Sequence, residues 1–201
     1  HPLTLYLDKR EIVTLMTLGG APEALAIGYL RNQRLVAHLE DIVAVQVDWE
    51  TDSVAITTHR SAEDLDARME KRTVTTGCGQ GTMFGDLMAE IDRVSLPAQA
   101  RFDEDTLYGL LDAVRHHESI YKQAGAVHGC ALARGSEILL FVEDVGRHNA
   151  LDKLIGALAT QRKGFDGGFV LMTSRASYEI VQKAAAVGIA VVAAIVWAIV
   201  G

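Results

Sequence analysis

Two segments of this chain gather side chains that could do chemistry, and a third residue type ties them to the core. In Thr73-Val-Thr-Thr-Gly-Cys-Gly-Gln-Gly-Thr82 a single cysteine, Cys78, stands between Gly77 and Gly79. Neighbours without side chains leave a thiol open to a large partner and let its backbone swing. The thiolate is the reactive form, favoured by partial exposure and nearby positive charge, and Lys71 and Arg72 are close in sequence. Such a group is either a nucleophile or an inert cysteine in a loop, and Gly-Cys-Gly alone does not decide between them. Cys130 lies inside the strand-like run Ala126-Val-His-Gly-Cys-Ala-Leu-Ala133, where it reads as a small buried hydrophobe.

The second segment is Phe141-Val-Glu-Asp-Val-Gly-Arg-His-Asn-Ala-Leu-Asp-Lys153, where a strand should end and a helix begin. In open α/β sheets ligands bind beyond the carboxyl ends of the strands. A helix start offers free N–H groups and positive potential to an anion. Gly146 would allow close approach, and Arg147, His148 and Asn149 would supply donors. The next strand ends in Thr173-Ser-Arg-Ala-Ser177, again at a helix start. If the two strands are parallel, as a helical crossover requires, Ser174 and Arg175 emerge on the same edge as Arg147 and His148. Two basic helix starts on one edge form a candidate anion site; the alternative is helix capping with weak surface ion pairs. His128 is either a base or ligand-positioning group, or a satisfied structural histidine. A zinc site is not expected, because no Cys-x-x-Cys or second histidine pairing is present. His116 and His117 close a helix and face its dipole.

The elements that must position these residues follow from pattern. Leu3–Leu7 and Glu11–Met16 flank Asp8-Lys-Arg10 as a hairpin, and Ile42–Trp49 with Val54–Thr58 form a second one. Pro22 opens a helix running to about Arg31. Ser61-Ala-Glu-Asp64 starts a short charged helix ending near Lys71. The segment from Thr73 to Thr82 has no usable period and reads as an exposed loop. From Asp103 the order becomes helix to about His117, short helix to Ala124, strands Ala126–Ala133 and Ile138–Val142, helix from about Asn149, strand Phe169–Thr173, helix from Ser177 and strand Ile189–Ile195. That order predicts an α/β fold with a mixed sheet covered by helices on both faces. No repeat or low-complexity tail is visible.

Composition limits the function classes. The chain has 201 residues, 19 basic against 26 acidic, for a formal charge of −7, which argues against a nucleic-acid binder. Its 2 cysteines cannot make a disulfide scaffold or a four-cysteine zinc site. The uncharged run from Ala184 to Gly201 is long enough to raise a membrane span. Its alanines lower the hydropathy, however, and Gly188 would end a helix before a β-branched strand. A strand buried on both faces is therefore expected, with no membrane. No signal-peptide pattern opens the chain, which starts at His1 rather than Met, and the cytoplasm is the expected compartment.

Thr76-Gly-Cys-Gly79, His128-Gly-Cys-Ala-Leu-Ala133, Glu143-Asp-Val-Gly-Arg-His-Asn-Ala-Leu-Asp-Lys153 and Thr173-Ser-Arg-Ala-Ser-Tyr-Glu-Ile-Val181 together resemble the FdhD family of formate dehydrogenase accessory sulfurtransferases. Gly20-Ala-Pro-Glu-Ala-Leu-Ala-Ile-Gly-Tyr-Leu30 and Glu40-Asp-Ile42 resemble its N-terminal region. The resemblance implies a cytidine-deaminase-like three-layer α/β/α core over residues 101–201, a smaller β-rich subdomain over 1–75, and a cysteine loop and connector over 76–100. It implies that Cys78 accepts sulfur from a cysteine desulfurase as a persulfide. The acceptor it implies is the molybdenum cofactor, bis-molybdopterin guanine dinucleotide, before insertion into formate dehydrogenase. Arg147, His148, Asn149, Ser174 and Arg175 would hold that cofactor, with no protein-ligated metal, and a homodimer is implied. The alternatives are a cofactor-binding chaperone without sulfur transfer and a deaminase-like hydrolase.

Two departures stand out. Many relatives carry Gly-Cys-Gly-x-Cys-Gly, whereas Gly81 occupies the place of the second cysteine here, so a disulfide-resolving pair within the loop is not expected. After Val191–Ile195 the family continues with a turn, a helix and another strand. Here Val196-Trp-Ala-Ile-Val-Gly201 follows directly, and the expectation is that a helix is missing near Val196 and a basic loop beyond Gly201.

Overall fold

The computed structural model describes residues 1–59, 65, 69, 72–74, 82–84, 94–96, 103–161 and 168–194. In chain order the elements are β1 (Pro2–Leu7), β2 (Arg10–Met16), α1 (Pro22–Asn32), β3 (Ile42–Asp48), β4 (Ser53–Thr58), β5 (Arg72–Val74), β6 (Thr82–Phe84), α2 (Glu104–His116), α3 (Ile120–Ala124), β7 (His128–Arg134), β8 (Glu137–Asp144), α4 (Arg147–Thr160), β9 (Phe169–Met172), α5 (Tyr178–Ala186) and β10 (Val192–Ala194).

The N-terminal sheet has the order β2-β1-β4-β3. Its two antiparallel hairpins meet at a parallel ladder between β1 and β4. Asp8 and Lys9 turn the first hairpin with φ of 48° and 69°, the twist that suits a two-residue connection. The Asp8 carboxylate then accepts from Thr58 N and Thr58 Oγ1, both at 2.7 Å, and pins the turn to the end of β4. Alternation sends Leu3, Leu5, Leu7, Val54 and Ile56 to one face, and Leu25, Tyr29 and Leu30 of α1 close over them. Of the charged helix expected after Ser61, only Leu65 and Met69 are described; both are helical and join this core.

The second sheet has the order β10-β9-β7-β8. Since β7 is antiparallel to both β8 and β9, those two strands run parallel with β7 between them, and β9 is parallel to β10. The strands advance one way across the sheet, so crossovers of one hand put α4 and α5 on the same face. Leu151, Leu154, Ile155, Ile180 and Ala184 pack there against Cys130, Val170 and Met172. Leu110 of α2 packs on the other face against Ala133, Phe169 and Leu171. The result is the helix, sheet, helix layering that the pattern predicts.

A close helix crossing joins the two parts. Helix α1 lies on its own sheet and also crosses α4 at Gly28 and Gly156. A Cβ on Gly28 would stand 1.8 Å from Asp152 O, and one on Gly156 would stand 1.8 Å from Ala24 O. Only glycine permits that backbone approach.

Four expectations need correction or fall outside the described residues. Helix α4 starts at Arg147, two residues before Asn149, because Gly146 caps it and Asn149 turns its side chain back toward Asp144. The Thr73–Thr82 loop contains strand at both ends: β5 and β6 pair, Thr73 with Met83 and Val74 with Thr82, as β-branched residues favour. Among the described residues β10 is an edge strand, with Val192 and Ala193 half-buried and Ala194 exposed. It is therefore not buried on both faces. Cys78 and residues 195–201, where the C-terminal departure was expected, lie outside the described residues. Helix α5 ends at Ala186 as predicted, with Gly188 at φ 85° and the bonds Gly188 N to Ala185 O and Ile189 N to Ala184 O. Among the described residues no helix is long and apolar enough to cross a membrane.

Candidate functional site at the ends of the parallel strands

The parallel sense of β8 and β9 brings the two helix starts to one edge. His148 Nε2 lies 3.3 Å from Ser177 Oγ and 3.9 Å from Glu179 Oε2, so the first turns of α4 and α5 are in contact. Neither start has a side-chain cap on its free N–H groups, which suits an anion. Arg147 is half-buried in this turn and Arg175 is exposed. Arg147 is close enough to act electrostatically on His128, His148 and Glu179.

His148 is not a cation here. Burial first, and then the charges of Lys183 and Arg147 against the opposing pull of Asp152 and Glu179, bring its pKa down to about 4. At neutral pH it is a neutral hydrogen-bonding group. Asn149 is also engaged: its Nδ2 donates to Met16 O at 2.7 Å and to Asp144 Oδ1 at 3.2 Å. These bonds tie the end of β2 to the first turn of α4. Ser174 is 7% exposed, and its Oγ has no hydrogen-bond partner among the described residues. Thr173 beside it, just past the end of β9, donates its N–H to Gly129 O at 3.0 Å and accepts from Gly129 N at 2.8 Å with its side-chain Oγ1.

Beneath this edge lie buried charges that sequence reasoning did not single out. Asp144, fully buried, accepts from Thr17 Oγ1 at 2.5 Å and forms an ion pair with Lys153. Lys153 Nζ also reaches Glu143 O at 3.3 Å. Asp152, also fully buried, takes Lys183 Nζ at 2.8 and 3.0 Å and accepts from Asn32 Nδ2. Burial lowers the Lys183 pKa despite the opposing pull of Asp152. Thr17 and Asn32 come from the N-terminal part, so each carboxylate bridges the two parts of the chain. Helix α4 carried one clue in sequence: Asp152 and Lys153 interrupt an apolar helix that leaves no polar face for them.

Cys130 is fully buried, and burial, with the Asp152 charge behind it, raises its thiol pKa well above the ordinary range. It is a packing residue. On the opposite face of the sheet, Val114, Tyr121, Phe141 and Thr173 line a cavity of about 220 Å³. Glu143 holds its wall by accepting from Ile120 N and Tyr121 N, both at 2.8 Å. Gly129 makes room for the Phe141 ring, whose Cζ would lie 2.7 Å from a Cβ there.

A sequence model of the FdhD/NarQ family matches residues 1–198. The chain belongs to the FdhD/NarQ family. It is 38% identical over 178 residues to the Sulfur carrier protein FdhD of Xanthomonas campestris pv. campestris strain B100, covering 86% of this chain and 63% of that protein. To the Sulfur carrier protein FdhD of Cupriavidus necator it is 34% identical over 201 residues, covering 96% of this chain and 69% of that protein. This chain thus spans somewhat under two thirds of the Xanthomonas FdhD protein. Its fold is similar to the crystal structure of a protein from Desulfotalea psychrophila described as a formate dehydrogenase accessory protein. The TM-score is 0.72 at 22% identity, over 96% of this chain and 72% of that one. The mixed sheets and their covering helices are therefore an arrangement already seen in a solved structure.

Proposed function

We propose that this protein is a sulfur carrier in formate dehydrogenase maturation. Cys78, as thiolate, attacks the terminal sulfur of a cysteine desulfurase's persulfide; a new S–S bond forms on Cys78 and the donor cysteine leaves as thiolate. Delivery of that sulfur to the molybdenum cofactor, bis-molybdopterin guanine dinucleotide, before formate dehydrogenase receives it, would break the S–S bond on Cys78, release Cys78 as thiolate and take two electrons from an external thiol reductant to leave the sulfur as sulfide. The observation that carries this reading is membership of the FdhD/NarQ family over residues 1–198, with relatives named sulfur carriers. The retained Thr76-Gly-Cys-Gly79 supplies one thiol between glycines, and a single persulfide carrier is sufficient without a second cysteine at Gly81.

The edge between α4 and α5 supports a place for the cofactor. Arg147 and Arg175 would meet its phosphates together with the free N–H groups of the two helix starts. The buried Ser174 Oγ has no partner among the described residues, and a ligand would provide one. His148 would contribute as a neutral group, and Asn149 by holding the first turn of α4 in place. The reading includes a deaminase-like core over 101–201 beside a β-rich part over 1–75, a cytoplasmic location and a homodimer.

The test is to incubate the protein with a cysteine desulfurase and cysteine, then measure intact mass and map the adduct. Addition of one sulfur atom on Cys78, absent in Cys78→Ala, is the expected result. Equal loading of Cys78→Ala, with formate dehydrogenase still activated, would refute the carrier role. No loading of either protein alongside intact cofactor binding would favour a chaperone without sulfur transfer, to which the absent second cysteine already lends weight.

A further inference from the structure

The candidate site is built on two helix starts, and their separation is set from below. Side chains four residues apart lie on one face of a helix. His148 with Asp152 on α4, and Glu179 with Lys183 on α5, are such pairs. Helices α4 and α5 meet through them at two levels, one turn apart. At the upper level His148 Nε2 lies 3.3 Å from Ser177 Oγ and 3.9 Å from Glu179 Oε2. At the lower level Lys183 Nζ donates to both Asp152 oxygens, at 2.8 and 3.0 Å. The contacts advance together along both helices, so the two run side by side in the same direction.

The two levels differ in what they can fix. The upper one is partly open, with the Glu179 side chain 25% exposed, and its imidazole is neutral at neutral pH. The lower one is sealed. The Lys183 and Asp152 side chains are 4% and 0% exposed, and Asn32 Nδ2 of α1 also donates to Asp152. Leu151, Ile155, Ile180 and Ala184 supply apolar contact around them, and apolar contact holds two helices together over a range of offsets. A buried ion pair adds little stability over a well-packed apolar replacement, but its hydrogen bonds are made at one offset alone. It therefore sets register rather than adhesion. A slide of α5 would move its start relative to Arg147. The residues leading into that start would move with it, among them Ser174, whose buried Oγ has no partner among the described residues.

We propose that Asp152 and Lys183 are positioning residues of the candidate site: their buried pair holds α5 against α4 in the register that puts both free helix starts within reach of one anionic ligand, and neither side chain touches that ligand. This rests on the reading of the edge as a cofactor site and adds what keeps the edge in shape. Asn32, by holding the same carboxylate, extends the constraint to the N-terminal part of the chain.

The experiment uses the full chain, with guanosine 5′-monophosphate as the probe. Lys183→Met alone strands a buried carboxylate, so the deciding variant is Asp152→Asn with Lys183→Met, which removes both charges and keeps the bulk. Thermal unfolding checks that it is folded. Calorimetric titration should show its affinity for the probe reduced about tenfold, the usual cost of losing a group that orients a binding side chain. The second readout is the pH titration of the His148 imidazole by NMR. Burial first, and then Lys183 and Arg147 against Asp152 and Glu179, bring its pKa down to about 4. The double variant loses one charge of each sign, so a midpoint that rises toward 6.5 reports lost burial, the upper contact having opened. In the wild type the Lys183 ¹⁵Nζ signal should stay still as the probe binds, a readout that needs no variant. Weakened binding with a raised midpoint is the expected result. Unchanged binding, weakened binding with the midpoint still near 4, or a Lys183 signal that moves with the probe overturns this inference alone. A wild type that does not bind the probe overturns it together with the cofactor reading.

Discussion

Two polar clusters flank the first turns of α4 and α5, and they differ in whether their central groups are paired with opposite charge. On the side facing α1, Asp144 and Asp152 are fully buried, and each meets a lysine and a neutral donor from the N-terminal part. On the side facing the strand ends, His128 Nδ1 and Ser174 Oγ are buried with no partner among the described residues. Both clusters are polar and enclosed, so burial alone would class them together. Charge pairing separates them: each buried carboxylate meets a lysine, with Asn32 Oδ1 left unpartnered among the described residues, whereas His128 Nδ1 and Ser174 Oγ meet no partner there at all.

The largest expected effect comes from breaking the charge-paired cluster. Asp144→Ala strands the Lys153 ammonium in a buried site and should destabilise the protein by about 3–5 kcal/mol in urea unfolding, the usual penalty for leaving one buried charge unpaired. Replacing both members, Asp144→Leu with Lys153→Met, should cost less than Asp144→Ala alone. If the single and double variants are equally destabilised, the pair is not coupled as described.

Next in size is a pH effect at the junction of the two clusters. His148 has a folded pKa near 4 against an ordinary value of 6.5. As pH falls below 6.5 the unfolded chain takes up this proton before the folded one does, so stability declines. The decline ends near pH 4, after a loss of about 3 kcal/mol for a shift of this size. His148→Gln should flatten that part of the stability profile; a profile of unchanged slope would contradict the buried neutral imidazole.

Smaller again is Thr17→Val, which removes a hydroxyl donated to a buried carboxylate. A hydrogen bond to a charged group contributes about 1.5–3 kcal/mol, and Thr17→Ser should restore most of it. Smallest is Ser174→Ala. Removing a hydroxyl that has no partner among the described residues should change stability by less than about 0.5 kcal/mol while weakening cofactor binding. A large stability loss in that variant would move Ser174 into the structural cluster.

Which features could be read in the sequence follows the range over which their causes act. The hairpins at Asp8-Lys9 and at residues 49–52, the Pro22 helix start and the Gly188 helix end depend on local geometry and appear where expected. The shared edge followed from one crossover rule. The partners in the buried ion pairs were not legible: the apolar surroundings of Asp152 mark it as buried, but Lys183 stands 31 residues away on another helix. The crossing at Gly28 and Gly156 involves two helices from different parts of the chain, and neither glycine signals its partner. Asn149 looked like a ligand donor because the return of its amide to Met16 and Asp144 depends on how β2 docks.

The most direct measurement of the central claim is a backbone amide chemical-shift map of the ¹⁵N-labelled protein titrated with guanosine 5′-monophosphate. The account predicts changes concentrated at His128–Gly129, Gly146–His148 and Thr173–Ser177, with Asn32, Asp152 and Lys183 moving little. Changes centred on the α1–α4 seam, with the strand-end residues silent, would contradict it.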